Sequence, residues 1–145
     1  MTTLVFPGQG SQYVGMGKDF YDNFEIAKNI FNLVEECTNI KVKEIIFENK
    51  DKLLDITKYT QLCTYTTSMA IFEVFCEIFK KTSLFKINYV LGHSLGEYSA
   101  LTASKCISIR DCVKLLKIRG ELMQNAYPEN ESGMATIIGL TCQSI

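Results

Sequence analysis

The 145-residue sequence holds one histidine, His93, and no Cys-x-x-Cys pair, so it lacks the His and Cys spacing of an ordinary zinc site. Its charge is almost balanced, with 15 basic against 16 acidic side chains. That leaves neither the basic patch that nucleic acid requires nor the polybasic run that an anionic membrane surface attracts. The amino terminus, Met1 to Pro7, has no basic segment and no long apolar stretch, which argues against a signal peptide. Uninterrupted apolar runs are far shorter than a membrane span. Repeats, low-complexity segments and linkers rich in Pro, Gly or Ser are missing, and the length suits one domain.

What is present is the composition of a protein with a sizeable core, 47% hydrophobic and 21% charged. Six scattered cysteines, Cys37, Cys63, Cys76, Cys106, Cys112 and Cys142, read as buried, reduced thiols of a cytoplasmic protein. Leu4-Val5-Phe6, stopped by Pro7-Gly8, and Tyr89-Val90-Leu91, running into Gly92, read as two buried strands. Helical spacing places Ile26, Ala27, Ile30, Phe31 and Val34 on one face, and a short amphipathic piece follows from Val42 to Phe47. The clearest helix spans Gln61 to Lys80, with an apolar stripe from Leu62 to Phe79 and Thr60 as its cap. A further helix begins near Leu95. Another, opened by a Ser108–Asp111 capping box, reaches roughly Asn125 before Pro128. Met134 to Leu140 alternates weakly and reads as a last strand, without a partner in the sequence. Strands alternating with helices predict an α/β fold with a largely parallel sheet.

Gly92-His93-Ser94-Leu95-Gly96 fits Gly-x-Ser-x-Gly. By itself that pattern arises by chance in about one chain in twenty of this size. Here a strand precedes it and a helix follows, the setting of a nucleophile elbow. Small residues two positions either side permit the sharp turn, which lifts the Ser94 hydroxyl clear of the sheet. The Leu95 N–H then lies at a helix start, where a free donor and the dipole suit a developing oxyanion. An ordinary tight turn is the competing reading. His93 is not expected to be the base, because neighbours on an elbow project in different directions; packing beneath the site is expected instead.

The segment Phe6-Pro7-Gly8-Gln9-Gly10-Ser11-Gln12 also follows a strand. It lacks the third glycine of a dinucleotide fingerprint, and no Gly-Lys-Ser or Gly-Lys-Thr marks a P-loop. A second oxyanion donor near Gln9 and a plain glycine turn both remain open. Arg119 falls on the apolar stripe formed by Cys112, Val113, Leu116, Gly120 and Met123. A guanidinium there either snorkels to an edge or meets a carboxylate, for which its fork is suited. If it faces Ser94, the transferred acyl group should carry a free carboxylate.

Taken together, the Phe6–Gln12 loop, Gly92 through Leu101, Arg119-Gly120, Gly133-Met134-Ala135 and Gly139-Leu140 closely resemble the bacterial malonyl-CoA:acyl-carrier-protein transacylases, over essentially the whole chain. The resemblance implies Ser94 as the acylated nucleophile, the Gln9 and Leu95 N–H groups as oxyanion hole, and Arg119 as the clamp on a malonyl carboxylate. It implies ping-pong transfer from malonyl-CoA to the thiol of acyl carrier protein in fatty-acid synthesis, without metal or bound cofactor. The implied fold is a partial α/β-hydrolase-like parallel sheet flanked by helices. Residues 1–130 would form the amino-terminal part of that subdomain and 131–145 the first strand of a ferredoxin-like one. Leu62 stands where the family usually has proline. The family's catalytic histidine lies beyond this span, so a complementary C-terminal chain becomes an expected partner. Two other readings stay open, a catalytically inactive fragment and a serine esterase.

Overall fold

The computed structural model describes residues 1–80, 86–126 and 138–139. The chain begins with strand β1 (Thr2–Phe6), followed by helices α1 (Lys18–Asn23), α2 (Glu25–Thr38) and α3 (Val42–Phe47). A 3-10 turn, Leu53–Asp55, leads into the long helix α4 (Thr57–Phe79). Then come β2 (Ile87–Gly92), α5 (Leu95–Ala103) and α6 (Ile109–Gln124). The architecture is mixed α/β, as expected. β1 and β2 pair in parallel, Thr2 opposite Ile87 and Phe6 opposite Gly92, so both strands deliver their carboxyl ends to one place.

α4 is the pillar. It packs against α2, α3, α5 and α6, and residues from Thr60 to Ala70 are buried on every side. One apolar stripe was expected there; in the structure the helix is sheathed all round over its first half. The expected Gln61 start is also corrected. The helix opens at Thr57 after an Ile56 cap that makes no side-chain bond. Thr60 lies within the first turn, where its hydroxyl donates back to the Leu54 and Ile56 carbonyls at 2.6 and 3.1 Å. Thr66 does the same to Leu62 at 2.7 Å. Back-bonding satisfies these two buried hydroxyls, while those of Thr64 and Thr67 find no partner among the described residues. By length and composition α4 could cross a bilayer (mean hydropathy 1.3 over its best window), yet 56% of that window is buried inside the protein. It is a core helix.

Around the pillar, Phe31, Val34, Ile46, Leu54, Met69, Leu95 and Leu116 are essentially inaccessible. Tyr21, Phe31 and Phe47 form a triangle of edge-to-face and tilted rings with centroids 5.3–5.4 Å apart, joining α1, α2 and α3 into one layer. The Ser108 box is present: its hydroxyl accepts from the Asp111 N–H at 3.1 Å and bonds the Asp111 carboxylate at 2.6 Å.

Three further expectations need correction. The strands are not buried on both faces. They alternate, with Val5 71%, Tyr89 57% and Leu91 55% exposed, because helices cover one face of the two-stranded sheet and nothing among the described residues covers the other. Of the described cysteines only Cys63 and Cys112 are buried; Cys37 and Cys76 are half-buried and Cys106 is exposed. Met123, expected on the α6 stripe, is 40% exposed, since the stripe turns outward in the last helical turn. Of the strand expected at Met134–Leu140, only Ile138 and Gly139 are described, and neither is in a strand. Pro128, Cys142 and most of the expected ferredoxin-like start lie outside the described residues.

Burial pushes the Cys63 thiol up to about 12. Below the thiol's ordinary value near 9, both folded and unfolded chains hold the proton and stability is unaffected. Above it, the unfolded chain ionises first and binds fewer protons, so stability falls as pH rises. Urea unfolding should therefore show a loss of roughly 1 kcal/mol per pH unit just above pH 9. Cys63→Ala should make that slope shallower, the remainder coming from Cys112 and Cys76, which burial also pushes up; an unchanged slope would remove Cys63 as a contributor.

Candidate active site

The parallel register brings the ends of β1 and β2 together, and the chain leaves β2 through a turn that only a narrow set of residues permits. Ser94 sits at φ 54° and ψ −111°, in backbone space that side-chain-bearing residues seldom occupy. A Cβ on Gly96 would lie 2.3 Å from the Phe6 carbonyl oxygen, and one on Gly92 would lie 2.0 Å from Gly96 backbone. The elbow is thus pressed against the end of β1, and both glycines are obligatory. Gly96 N–H donates to the His93 carbonyl at 2.9 Å and Glu97 N–H to the Ser94 carbonyl at 3.1 Å. Leu95 opens α5, so its N–H has no acceptor within the helix.

The glycine loop abuts the same turn. A Cβ on Gly8 would meet the His93 carbonyl oxygen at 2.7 Å and its Nδ1 at 2.9 Å. The loop is braced internally by Ser11 Oγ donating to the Gly8 carbonyl at 2.7 Å. It is tied to the start of α4 by Gln9 Nε2 donating to Thr57 Oγ1 at 3.1 Å and Gln12 Nε2 to Asp55 Oδ1 at 3.3 Å. Gln9 therefore follows directly on the point where loop and elbow touch. His93 is exposed, contrary to the expectation that it packs beneath the site. The backbone of Gly8 lies beside its ring.

Arg119 reaches this turn from α6. Its Nη2 donates to Ser94 Oγ at 3.1 Å, its Nη1 donates to Gln61 Oε1, and its guanidinium carbon lies 5.4 Å from the centre of the Tyr98 ring. The sequence offered two fates for this residue, an edge or a carboxylate. The structure gives a third. Arg119 is half-buried on neutral oxygens and an aromatic face, and no ion pair among the described residues includes it. α6 can approach this closely because Gly120 lies against the Lys58 backbone, where a Cβ would come within 2.8 Å of Lys58 Cα.

Two neighbours escaped the sequence reading as site residues, Gln61 and Tyr98. Gln61 is completely buried in the first half of α4. A polar amide inside a run expected to be core was the available signal, because a buried amide demands a partner. Tyr98 lies one turn into α5 and gave no signal beyond an apolar position.

The strain at Ser94 has a measurable consequence. Ser94→Gly and Ser94→Ala lose the same bond to Arg119, but only glycine relaxes the backbone. Ser94→Gly should be more stable than Ser94→Ala by about 1 kcal/mol, after offsetting glycine's greater unfolded-chain entropy. Equal stabilities in urea unfolding would show that the turn is unstrained.

Comparison with known proteins places this geometry in a family. The family model described as acyl transferase domain matches residues 3–143. The malonyl CoA-acyl carrier protein transacylase of Bacillus subtilis (strain 168) is 40% identical over 142 residues, 98% of this chain and 43% of the relative. A solved malonyl CoA-acyl carrier protein transacylase from Clostridium perfringens superposes with a TM-score of 0.81 at 43% identity, over 88% of this chain and 39% of that one. A malonyl-transacylase solved in complex with its type II PKS acyl-carrier protein gives a TM-score of 0.79 at 32% identity, over 88% and 40%. The chain thus spans about two fifths of the length of the relatives it matches. With a strained serine between two packed glycines at the carboxyl end of a parallel sheet, and a family match across nearly its whole length, this chain belongs to the acyl transferase domain family.

Proposed function

We propose that the chain carries the acyl-accepting half of a malonyl-CoA:acyl-carrier-protein transacylase of fatty-acid synthesis, acting in the cytoplasm with Ser94 as nucleophile. The observation that carries this reading is the guanidinium of Arg119 donating to Ser94 Oγ at 3.1 Å, with no carboxylate partner among the described residues. A positive charge beside a serine hydroxyl suits an acyl group that ends in a carboxylate. A neutral acyl chain would leave that charge unused. Oγ attacks the thioester carbonyl of malonyl-CoA and the C–S bond breaks. Coenzyme A leaves as the thiol, and the malonyl ester on Ser94 then passes to the phosphopantetheine thiol of acyl carrier protein by the reverse chemistry. The Leu95 N–H and that of Gln9 are assigned to the oxyanion of each tetrahedral intermediate. Transacylase names among the relatives and the carrier-protein complex of one of them support the substrates and the partner.

The proton of Oγ must go to a base. His93 is the one histidine of the sequence; it is exposed, and no hydrogen bond joins its ring to Ser94 among the described residues. The base is therefore assigned to a complementary C-terminal portion, which would also cover Val5, Tyr89 and Leu91. Those three apolar side chains on the open sheet face favour the second reading, a chain inactive by itself. A serine esterase is disfavoured by the uncompensated charge at Arg119.

Without a base, acylation should be slow and stoichiometric rather than catalytic, since loss of a triad member leaves only residual rate enhancement. Intact-mass spectrometry after incubation with malonyl-CoA should show one malonyl adduct, absent from Ser94→Ala. Arg119→Ala should slow malonylation about 10–100-fold and acetylation from acetyl-CoA by no more than about threefold. Equal losses with both thioesters would reject the clamp, and an adduct persisting in Ser94→Ala would move the nucleophile elsewhere.

A further inference from the structure

Helix α5 is only nine residues long, and it opens with Leu95, whose N–H is a donor to the oxyanion in the proposed reaction. A helix of that length has little stability of its own and takes its position from what it touches. Its amino end is set by the elbow, where Gly96 presses on the Phe6 carbonyl. Its far end is set by a buried chain of hydrogen bonds. The Tyr65 hydroxyl of α4 lies 2.9 Å from Thr102 Oγ1, and Thr102 Oγ1 donates to the Tyr98 carbonyl at 2.8 Å. Thr102 has one hydroxyl proton and directs it at that carbonyl, so Tyr65 is the donor in the bond between the helices. The completely buried Cys112 thiol of α6 points at the same carbonyl oxygen from 3.9 Å. Burial pushes both the Tyr65 hydroxyl and the Cys112 thiol up, so each keeps its proton and remains a donor at neutral pH. Three helices thus converge on one peptide carbonyl, one turn after Leu95.

Apolar side chains of the same size would fill this space equally well. Their contacts are non-directional, however, and would let α5 slide or roll against α4. A hydrogen bond between two buried hydroxyls is directional and selects one axial position. We infer that Tyr65 and Thr102 are positioning residues for acyl transfer, their hydrogen bond fixing α5 so that the Leu95 N–H stays aimed at the oxyanion. This rests on the roles given to Ser94 and Leu95 in the proposed reaction. Neither side chain has to reach the substrate, because the helix transmits the constraint over about two turns.

The test follows Ser94 acylation of the full chain by malonyl-CoA and by acetyl-CoA, using intact mass. Affinities for both thioesters come from isothermal titration in a Ser94→Ala background, and circular dichroism checks the fold of each variant. Tyr65→Phe removes a single oxygen atom. It should slow acylation by both thioesters about three- to tenfold and leave both affinities within about twofold. Thr102→Val should slow acylation at least as much, whereas Thr102→Ser keeps the hydroxyl and should retain the parent rate. The double variant Tyr65→Phe/Thr102→Val should be no slower than Thr102→Val, because the two side chains make one bond. A merely structural role would lower the melting temperature and leave the rates of the folded Tyr65→Phe protein within about twofold of the parent; that result overturns the inference. So does a loss confined to malonyl-CoA, or multiplied losses in the double variant. Should Tyr65→Phe not fold, equal rates for Thr102→Val and Thr102→Ser overturn it. If the parent is not acylated at all, the reading of Ser94 is what fails, and amide nitrogen–proton spectra decide the positioning role. Tyr65→Phe should then shift the Leu95 and Gly96 signals, and shifts confined to the surroundings of Tyr65 and Thr102 overturn it.

Discussion

The site is organised by a guanidinium that is half withdrawn from water and meets no carboxylate among the described residues. Taking such a group out of solvent is costly unless its donors find oxygens. Arg119 finds them on two other elements, α4 and the elbow, and rests on Tyr98 of α5. Helix α4 and the continuous elbow–α5 segment are therefore both bound to one cation on α6. The packing around them serves that convergence. Gly120 lets α6 lie against the Lys58 backbone, and the buried Tyr65 hydroxyl shares a hydrogen bond of 2.9 Å with Thr102, joining α4 to α5 behind the arginine. A charge held by dipoles alone is stable only if those dipoles are rigid, and the closed packing of α4 supplies that rigidity.

The second constraint is backbone. The parallel pairing that sets Phe6 opposite Gly92 also sets the Phe6 carbonyl against Gly96, so sheet register and elbow geometry are one feature. Ser94 takes its unfavourable φ because strand, glycine loop and helix leave the chain no other path. Strain of this kind persists only where surrounding structure over-determines it.

Much of this was legible in the residues. The 3.6-residue period found α2 and α6, the Ser108 box marked the start of α6, and Gly92-x-Ser94-x-Gly96 located the elbow, because each signal is local. Arg119 was found by its misfit, a charge on an apolar stripe. Its partners were not, since Gln61 lies far away in sequence and its burial depends on helices packing from all sides. Thr60 resembled a cap because threonine serves equally at a helix edge and inside the first turn; only the preceding 3-10 turn decides. The strands were read as doubly buried from composition alone, and composition cannot say how many layers cover a sheet. The surroundings of His93 were illegible for a similar reason, because the Gly8 loop beside its ring comes from a distant part of the sequence.

The pairing of β1 with β2 also dictates when the site can exist. Thr2 is synthesised well ahead of its partner Ile87, which follows only after α1 through α4. At translation rates of roughly 5–20 residues per second, β1 waits several seconds without its neighbour while the helices around α4 are already free to assemble. The packing of α1, α2 and α3 on one another and on α4 is closer in sequence than the strand pair, an order that favours early helices there and a late strand pair. The contacts of α6 with α4 and α2 are, like the sheet, distant in sequence. The elbow at Ser94 therefore closes only after the first helices have been made, and the core is completed with it by Leu95 of α5 and Leu116 of α6.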